Sequence, residues 1–398
     1  MLSAKISERV SYIGVNDRRT SRFEAMWPLP YGVSYNSYLV DGGDRVAIID
    51  GVEVSRGLQQ IAEIHRLLGD RRPDYLIINH MEPDHSGAIR LLRSEWPDIE
   101  IVASQQALKM IEGYYGVVER TRAVKDGDAL TLGENTTLRF HLTPMVHWPE
   151  TMMTYLEEEE TLFTGDAFGC FGALNGAVLD RDMDYARYMP EMVRYYSNIV
   201  GKYGMFVQRA LKKLDGVKLS TLCTTHGPVW QENLQGVVEL YDRLSRYEAM
   251  DDGVTIIYGS MYGNMEQLAE AAAEGLSSAG VRRIEMFNAS TAEMSDILAA
   301  VFRHKGLVVA APTYSDSLFP PVANALRAIT LRGVKDRKVA VLGTCTWAER
   351  ASGIMTKLLE DGGLSVYDKP FVIKHSPSEE DLEGCRAMMA AYASEIMK

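Results

Sequence analysis

The run His80-Met81-Glu82-Pro83-Asp84-His85-Ser86-Gly87 gathers imidazoles and carboxylates directly after the strand-like segment DYLIIN. A strand end that breaks into a tight loop can turn several side chains onto one centre. His80 and Glu82 share one face of an extended segment, and Asp84 and His85 follow across a turn that Pro83 stiffens. Three further candidates lie downstream, each after a strand-like run and beside Gly, Pro or Trp: His147 in MVHWPE, Asp166 in LFTGDAFG and His226 in TTHGPVW. The H-x-E-x-D-H spacing is the specific part, and the later residues gain weight from their order behind it. Imidazoles mixed with three carboxylates and no thiolate suit iron or manganese better than a soft-ligand site, while affinity order also admits zinc.

A second constellation lies in the C-terminal half. After VTIIYGS, the residues Ser260, Met261, Tyr262, Gly263, Asn264 and Met265 open a helix. Backbone N–H groups there, with the Ser260 hydroxyl and the Asn264 amide, can cradle one phosphate. The loop is not G-x-G-x-x-G, so a dinucleotide is disfavoured and the single phosphate of FMN fits. Two later loops, Pro312-Thr313-Tyr314-Ser315-Asp316 and Thr344-Cys345-Thr346-Trp347-Ala348, also leave the carboxyl ends of strands. Ligands of open α/β sheets bind in that crevice, and Tyr314 and Trp347 offer aromatic faces to a flat ring.

The elements that must position these groups fall into two halves. In the first, RVSYIGV, SYNSYLV and RVAIID read as consecutive strands, with Asp41 to Asp44 as a turn. Leu58, Ile61, Ile64 and Leu67 have helical spacing, and DYLIIN and IEIVAS read as buried strands. Mixed order of this kind favours packed sheets with helices outside, an α+β layered sandwich. From about Val254 the chain alternates strictly. VTIIYGS, RIEMFN, GLVVAAP, KVAVLG and FVIK are strands, and helices follow them. One helix is closed by Gly280 and one is opened by Ser290 with Glu293 three residues on. That is a doubly wound α/β sheet. The sequence thus predicts domains over residues 1–250 and 253–398, joined by a polar link at Met250-Asp251-Asp252-Gly253.

A chain of 398 residues has room for two such cores. The net charge of −12 argues against nucleic acid, whose phosphates select basic surfaces. The N-terminal segment lacks the apolar core of a signal peptide and no segment is apolar for long enough to span a bilayer, so a cytoplasmic protein is expected. Cys170, Cys223, Cys345 and Cys385 are scattered without a C-x-x-C pair, which predicts reduced packed thiols and no fused rubredoxin module. His65, His141, His304 and His375 have no partners at metal spacing and read as surface or packed residues.

At the metal motif the first half resembles the metallo-β-lactamase fold, an αββα sandwich with a H-x-[HE]-x-D-H loop, a later His, a bridging Asp and a final His. With Glu82 in the third position, and with a flavodoxin-like domain behind it, essentially the whole chain resembles the flavodiiron proteins. The resemblance implies that His80, Glu82 and His147 hold one iron, that Asp84, His85 and His226 hold the other, and that Asp166 bridges them. It implies FMN in three flavodoxin loops. Two departures stand out: Met265 replaces the hydroxyl residue common in flavodoxins, and the loop around Trp347 carries Cys345, Thr346, Ala348 and Glu349 where relatives are often Gly-rich. Tyr195 and Tyr196 are candidates for hydrogen bonding near the irons.

The implied activity passes electrons from an external donor through FMN to the di-iron site, reducing dioxygen to water, nitric oxide to nitrous oxide, or both. A separate rubredoxin or a reduced deazaflavin coenzyme is the donor that the family offers. The resemblance and a short link between the domains further suggest a head-to-tail homodimer or a dimer of such dimers, with the FMN of one chain serving the irons of the other. The rival readings are a zinc hydrolase of the metallo-β-lactamase fold with an accessory flavodoxin domain, and an electron carrier whose first domain is a docking scaffold. Glu82 and the complete ligand order count against both.

Overall fold

The computed structural model describes residues 4–398. Residues 1–3, which open the segment weighed above as a leader, lie outside the described residues. The chain divides into two compact units. The first runs to Tyr196 and resumes over Met205–Asp242, and the second combines Ser197–Gly204 with Arg243–Lys398.

The first unit is built on two sheets. One has seven strands in the order Ala4–Lys5, Val10–Tyr12, Tyr38–Asp41, Val46–Ile49, Tyr75–Ile78, Glu100–Ser104 and Thr121–Val124. The other has five: Ala129–Gly133, Thr136–Leu142, Met152–Leu156, Thr161–Gly165 and Thr221–Thr224. The central strands Val46–Ile49 and Tyr75–Ile78 are buried at every residue, as the unbroken apolar runs VAII and YLII require. Side chains of the two sheets interlock between them. Tyr38 packs its ring 5.4 Å from Phe163 and donates to the Thr224 carbonyl at 2.6 Å, and Thr154 donates to Asn79 Oδ1 at 2.7 Å. This is the αββα sandwich expected from the sequence.

Local departures have simple causes. The helix expected near Leu58 begins at Gly57 behind a single 3-10 turn, and Leu58 is exposed while Ile61, Ile64 and Leu68 are buried. Downstream, Met189–Tyr195 is α-helical, Tyr196–Val200 widens into a π turn and Gly204–Lys213 resumes the helix. Such irregular turns let one helix re-aim its side chains.

The second unit carries a parallel sheet in the order Ile284–Asn288, Asp251–Tyr258, His304–Tyr314, Lys338–Cys345, with Ser365–Val366 and Phe371–Lys374 on the far side of the last. That is the doubly wound 2-1-3-4-5 order. Its core packs the helices Asn264–Ser278 and Glu379–Ile396 against the sheet through Leu268, Ala272, Met389 and Tyr392. Gly280 closes the first of these helices at φ 97°, as its position in the sequence suggests.

Two expectations need correction. The helix placed at Ser290 starts at Met294, because the Ser290 amide donates to Asn288 Oδ1 in a turn and Glu293 is the N-cap residue. The polar link at Met250-Asp251-Asp252-Gly253 is no free linker either. Asp251 already begins a strand, the Met250 amide donates to the Arg303 carbonyl at 2.7 Å, and Arg337 donates to the Tyr247 carbonyl at 2.9 Å. Backbone hydrogen bonds that these residues need draw them into the second unit.

Candidate functional site

Four loops of the first unit converge. Tyr75–Ile78 delivers His80 to His85, Thr161–Gly165 delivers Asp166, Thr221–Thr224 delivers His226, and the turn between Thr136–Leu142 and Met152–Leu156 carries His147. All seven expected metal residues are brought together, in two groups: His80, Glu82, His147 and Asp166, and Asp84, His85 and His226. Within each group the potential ligand atoms lie within 4.8 Å of one another.

Asp166 stands between the groups. Its Oδ2 lies 3.1 Å from His147 Nε2 and 3.4 Å from His80 Nε2. Its Oδ1 lies 2.9 Å from His85 Nε2 and 3.6 Å from His226 Nε2. Glu82 Oε2 faces the first group, 3.3 Å from His80 Nε2 and 3.2 Å from His147 Nε2. Asp84 Oδ2 faces the second, 3.2 Å from His85 Nε2 and 3.3 Å from His226 Nε2.

Apart from Asp84, these side chains are at least nine-tenths buried. Burial alone would depress the His85 and His147 imidazoles, but Asp84 and Asp166 around the first, and Asp166 and Glu82 around the second, push both up to about 9. Burial likewise opposes ionisation of Asp166 and Glu82, and the surrounding imidazoles outweigh it and hold both carboxyls low. The protein therefore keeps anionic and imidazole groups together in a dry site. Asp84 Oδ1 and Oδ2, His85 Nε2 and His226 Nε2 are buried with no hydrogen-bond donor or acceptor aligned to them. Such orphaned atoms are costly unless a cation gathers them, so the donor set fits a pair of metal ions.

Supporting residues escaped the sequence reading. Glu150 Oε1 accepts from the Met81 amide at 2.9 Å and lies 2.9 Å from His80 Nδ1, which leaves His80 Nε2 for the cluster. The Ser34 carbonyl does the same for His226 Nδ1 at 2.8 Å, and Thr225 donates to Asp166 Oδ1 at 2.6 Å. Asp50, buried beneath the loop, accepts from the Asn79 amide at 2.7 Å and from its side chain at 2.9 Å. Gly227 follows His226 at φ 79°, where a Cβ would meet Cys170 Sγ at 2.2 Å, so only glycine fits. Glu24 is exposed as a residue, yet its carboxyl end accepts from Trp27 Nε1 at 2.9 Å. Desolvation there and the charge of Glu82 push that carboxyl up to about 7.

The walls are aromatic. Phe23, Tyr195 and Tyr35 lie 5.3, 5.5 and 5.9 Å from the His226 ring, and Trp148 lies 5.3 Å from His80. The Tyr195 hydroxyl is buried without an aligned hydrogen-bond partner. Tyr196 packs elsewhere, its ring 5.0 Å from Tyr241.

In the second unit the three expected loops line one cleft of about 410 Å³. Ser260, Met261, Tyr262, Asn264 and Met265 come from the first, Pro312 to Asp316 from the second, and Thr344 to Ala348 from the third. Gly263 alone among the expected residues stays off the lining. Its φ of 92° turns the loop into the helix, and its amide donates to Ser260 Oγ at 3.1 Å. Thr313 Oγ1 accepts from the Arg350 and Ala351 amides at 3.0 and 3.2 Å, and Arg350 pairs with Asp316 at 3.0 Å, so the second and third loops are tied together. Tyr262 is 91% exposed and Trp347 89%. A helix N-terminus, small hydroxyls and two aromatic faces in one cleft fit a flavin mononucleotide.

Two family models match these halves, one described as the ODP family beta lactamase over residues 33–227 and one as flavodoxin over residues 256–388. The chain is 30% identical over 390 residues to the anaerobic nitric oxide reductase flavorubredoxin of Shigella dysenteriae, covering 97% of this chain and 81% of that protein. It superposes with a TM-score of 0.94 on rubredoxin oxygen:oxidoreductase of Desulfovibrio gigas, at 24% identity and with both chains fully covered. A variant of the flavo di-iron protein of Thermotoga maritima gives 0.90 at 27% identity, over 99% of this chain and 98% of that one. A β-lactamase-like metal sandwich followed by a flavodoxin defines a metalloflavoprotein. The chain belongs to the flavodiiron proteins.

Proposed function

We propose that this protein is a terminal oxidoreductase that takes electrons from an external donor and reduces dioxygen to water, nitric oxide to nitrous oxide, or both. The observation that carries the reading is the position of Asp166, whose two oxygens face separate groups of metal-capable residues. When bound, two irons and FMN supply the chemistry, the flavin handling electrons singly or in pairs and the metal pair reducing a small gas.

In this reading His80, Glu82 and His147 would hold one iron, Asp84, His85 and His226 would hold the other, and Asp166 would serve both. Glu82 in a place open to a third imidazole adds negative charge, which favours higher metal oxidation states and speaks against a hydrolytic zinc site. Glu150 and the Ser34 carbonyl fix the tautomers of His80 and His226. Phe23, Tyr35, Trp148 and Tyr195 exclude bulk water, and the Tyr195 hydroxyl, buried without an aligned hydrogen-bond partner, is a polar group on that wall able to donate to a bound gas. Ser260, Asn264 and the amides of their loop would hold the FMN phosphate, and Tyr314 and Trp347 would offer aromatic faces to its ring.

The donor is a rubredoxin or a reduced deazaflavin coenzyme in the cytoplasm, and the working unit is a head-to-tail homodimer. What supports the dimer is the exposure of Tyr262 and Trp347 at the cleft, aromatic surface suited to a covering partner. No helix among the described residues is long and apolar enough to cross a membrane. Anaerobic stopped-flow oxidation of the reduced, iron-loaded protein by each gas, beside metal analysis, tests the reading. Full zinc occupancy with hydrolysis and no gas reduction would sink it. Mixing a metal-dead chain (His80→Ala, Asp166→Ala) with a flavin-dead chain (Asn264→Ala, Trp347→Ala) tests the dimer, since mixed pairs regain part of the activity only if electrons cross between chains.

A further inference from the structure

The flavin cleft has a fourth contributor that the three loops do not include. His375 directly follows the strand Phe371–Lys374 and lines the same cleft. Its amide donates to the Cys345 carbonyl at 2.8 Å, and its φ of 67° turns the chain sharply at the strand end. The imidazole is therefore carried on a strand end tied to the loop that holds Trp347.

Strand order fixes which end of the cleft it serves. Asp251–Tyr258, which carries the phosphate loop, pairs with His304–Tyr314, which pairs with Lys338–Cys345, which pairs with Phe371–Lys374. Neighbouring strands lie about 4.8 Å apart, so His375 sits three spacings, roughly 14 Å, from the strand of the phosphate loop and one from that of Trp347. Among the described residues no lysine or arginine lines the cleft, and its other ionisable side chains are Asp316, Cys345 and two tyrosines. His375 alone among the lining residues can carry positive charge, and even as a neutral imidazole it keeps one N–H donor.

We infer that His375 is a binding residue for the flavin ring, a donor at the end of the cleft remote from the phosphate. A flavin gains negative charge on its ring when reduced, and a donor beside the ring favours that form. His375 thus contributes to affinity and raises the reduction potential of the bound flavin. This rests on the FMN reading above.

The test uses the full chain, stripped of flavin and titrated with FMN by fluorescence quenching, followed by spectroelectrochemistry of the reconstituted protein. His375→Gly removes the imidazole and suits the left-handed backbone. It is expected to weaken FMN binding about tenfold, the loss of one hydrogen bond of ordinary strength, and to lower the flavin potential. His375→Gln, which keeps an N–H donor, restores most of both. An unchanged potential in the glycine variant overturns the inference, whether or not affinity falls, because a phosphate contact or a packing role leaves the ring's redox balance alone. If the wild-type chain itself takes up no FMN, the FMN reading fails instead, and the two failures are distinct.

Discussion

Six of the seven residues in the metal cluster are buried, and each of their loops leaves a strand of the sandwich core. Around the flavin cleft Tyr262, Trp347 and Tyr314 stand 91%, 89% and 45% exposed, the first on a loop closed by the Gly263–Ser260 hydrogen bond and the other two on loops tied by Thr313 and the Asp316–Arg350 pair. The first site is assembled by folding itself, and buried hydrogen bonds hold its donors in place before any metal arrives. The second offers a shaped surface whose aromatic groups gain most of their burial from what binds there. A single change should therefore cost more in the metal centre, where the neighbours of a removed group cannot turn to water.

Asp166→Ala is the strongest probe of that contrast. It removes the carboxylate shared by both groups and leaves four imidazoles facing one another without it. Metal content should drop from two irons per chain to nearly none, and gas reduction should vanish, while FMN uptake stays at the wild-type level. Elemental analysis with a flavin absorption spectrum reads both. Retention of both irons with full turnover would refute the bridging role.

Trp347→Ala is the counterpart in the cleft. The loss of one stacking face should raise the FMN dissociation constant roughly tenfold, at about 1 kcal/mol for an aromatic pair plus lost ring burial. Iron content should not change, because no group that Trp347 lines belongs to the metal cluster. Fluorescence titration of stripped protein measures it. A loss of iron in this variant would show that the sites are not independent.

Glu150→Gln asks whether the metal centre depends on its supporting residues as strongly as burial implies. The amide keeps the shape of the carboxylate but removes the charge beside His80 Nδ1. Such partners typically change metal affinity or activity by about 10–100-fold, so iron binding should weaken within that range and the iron potential should rise. Glu150→Asp should recover part of both. Redox titration followed by electron paramagnetic resonance distinguishes this from simple misfolding, which would not shift the potential of the iron that remains.

The residues that do chemistry were far more legible in the sequence than those that hold them. His80, Glu82, Asp84 and His85 share one short loop, so their spacing reports a shared target. Glu150 meets His80 across seventy positions, and nothing local in MVHWPE marks it as that imidazole's partner. The sequence marks His375 only as a surface or packed residue, and it is exposed; its place in the cleft follows from the pairing of Cys345 with Lys374. The strict strand–helix alternation made the second sheet readable, whereas the helix assigned to Ser290 failed. Ser290 and Glu293 have capping-box spacing, but Asn288 captures the Ser290 amide in a turn first. The unit boundary was obscured because Ser197–Gly204 packs with residues far along the chain, Asn198 donating to the Ser295 carbonyl and Arg332 to that of Ser197.

The smallest expected effect is the dependence of metal-free stability on pH, and it belongs to the metal centre alone. Burial lowers the His85 and His147 imidazoles, but the carboxylates of Asp84, Asp166 and Glu82 overcome it and raise both to about 9. An unfolded histidine titrates near 6.5, at roughly the usual value. Raised folded values mean that the stabilisation is fully present below about 6.5 and is lost as pH climbs through about 9. Asp166 and Glu82 are held low by the imidazoles around them, so their contribution is present above about 4 and is lost only as pH falls through the depressed range. Metal-free protein should thus be most stable between about 5 and 6.5, with a melting temperature lower by on the order of 5 °C at pH 9. Metal loading should reverse the alkaline limb, because ligation needs neutral imidazoles and releases their protons. Adding FMN to metal-free protein should leave that limb in place. Calorimetry at a series of pH values, with and without iron, checks the sign. A metal-free protein that grows more stable from pH 6.5 to 9 would mean that the imidazoles and carboxylates are not charge-paired in the folded centre.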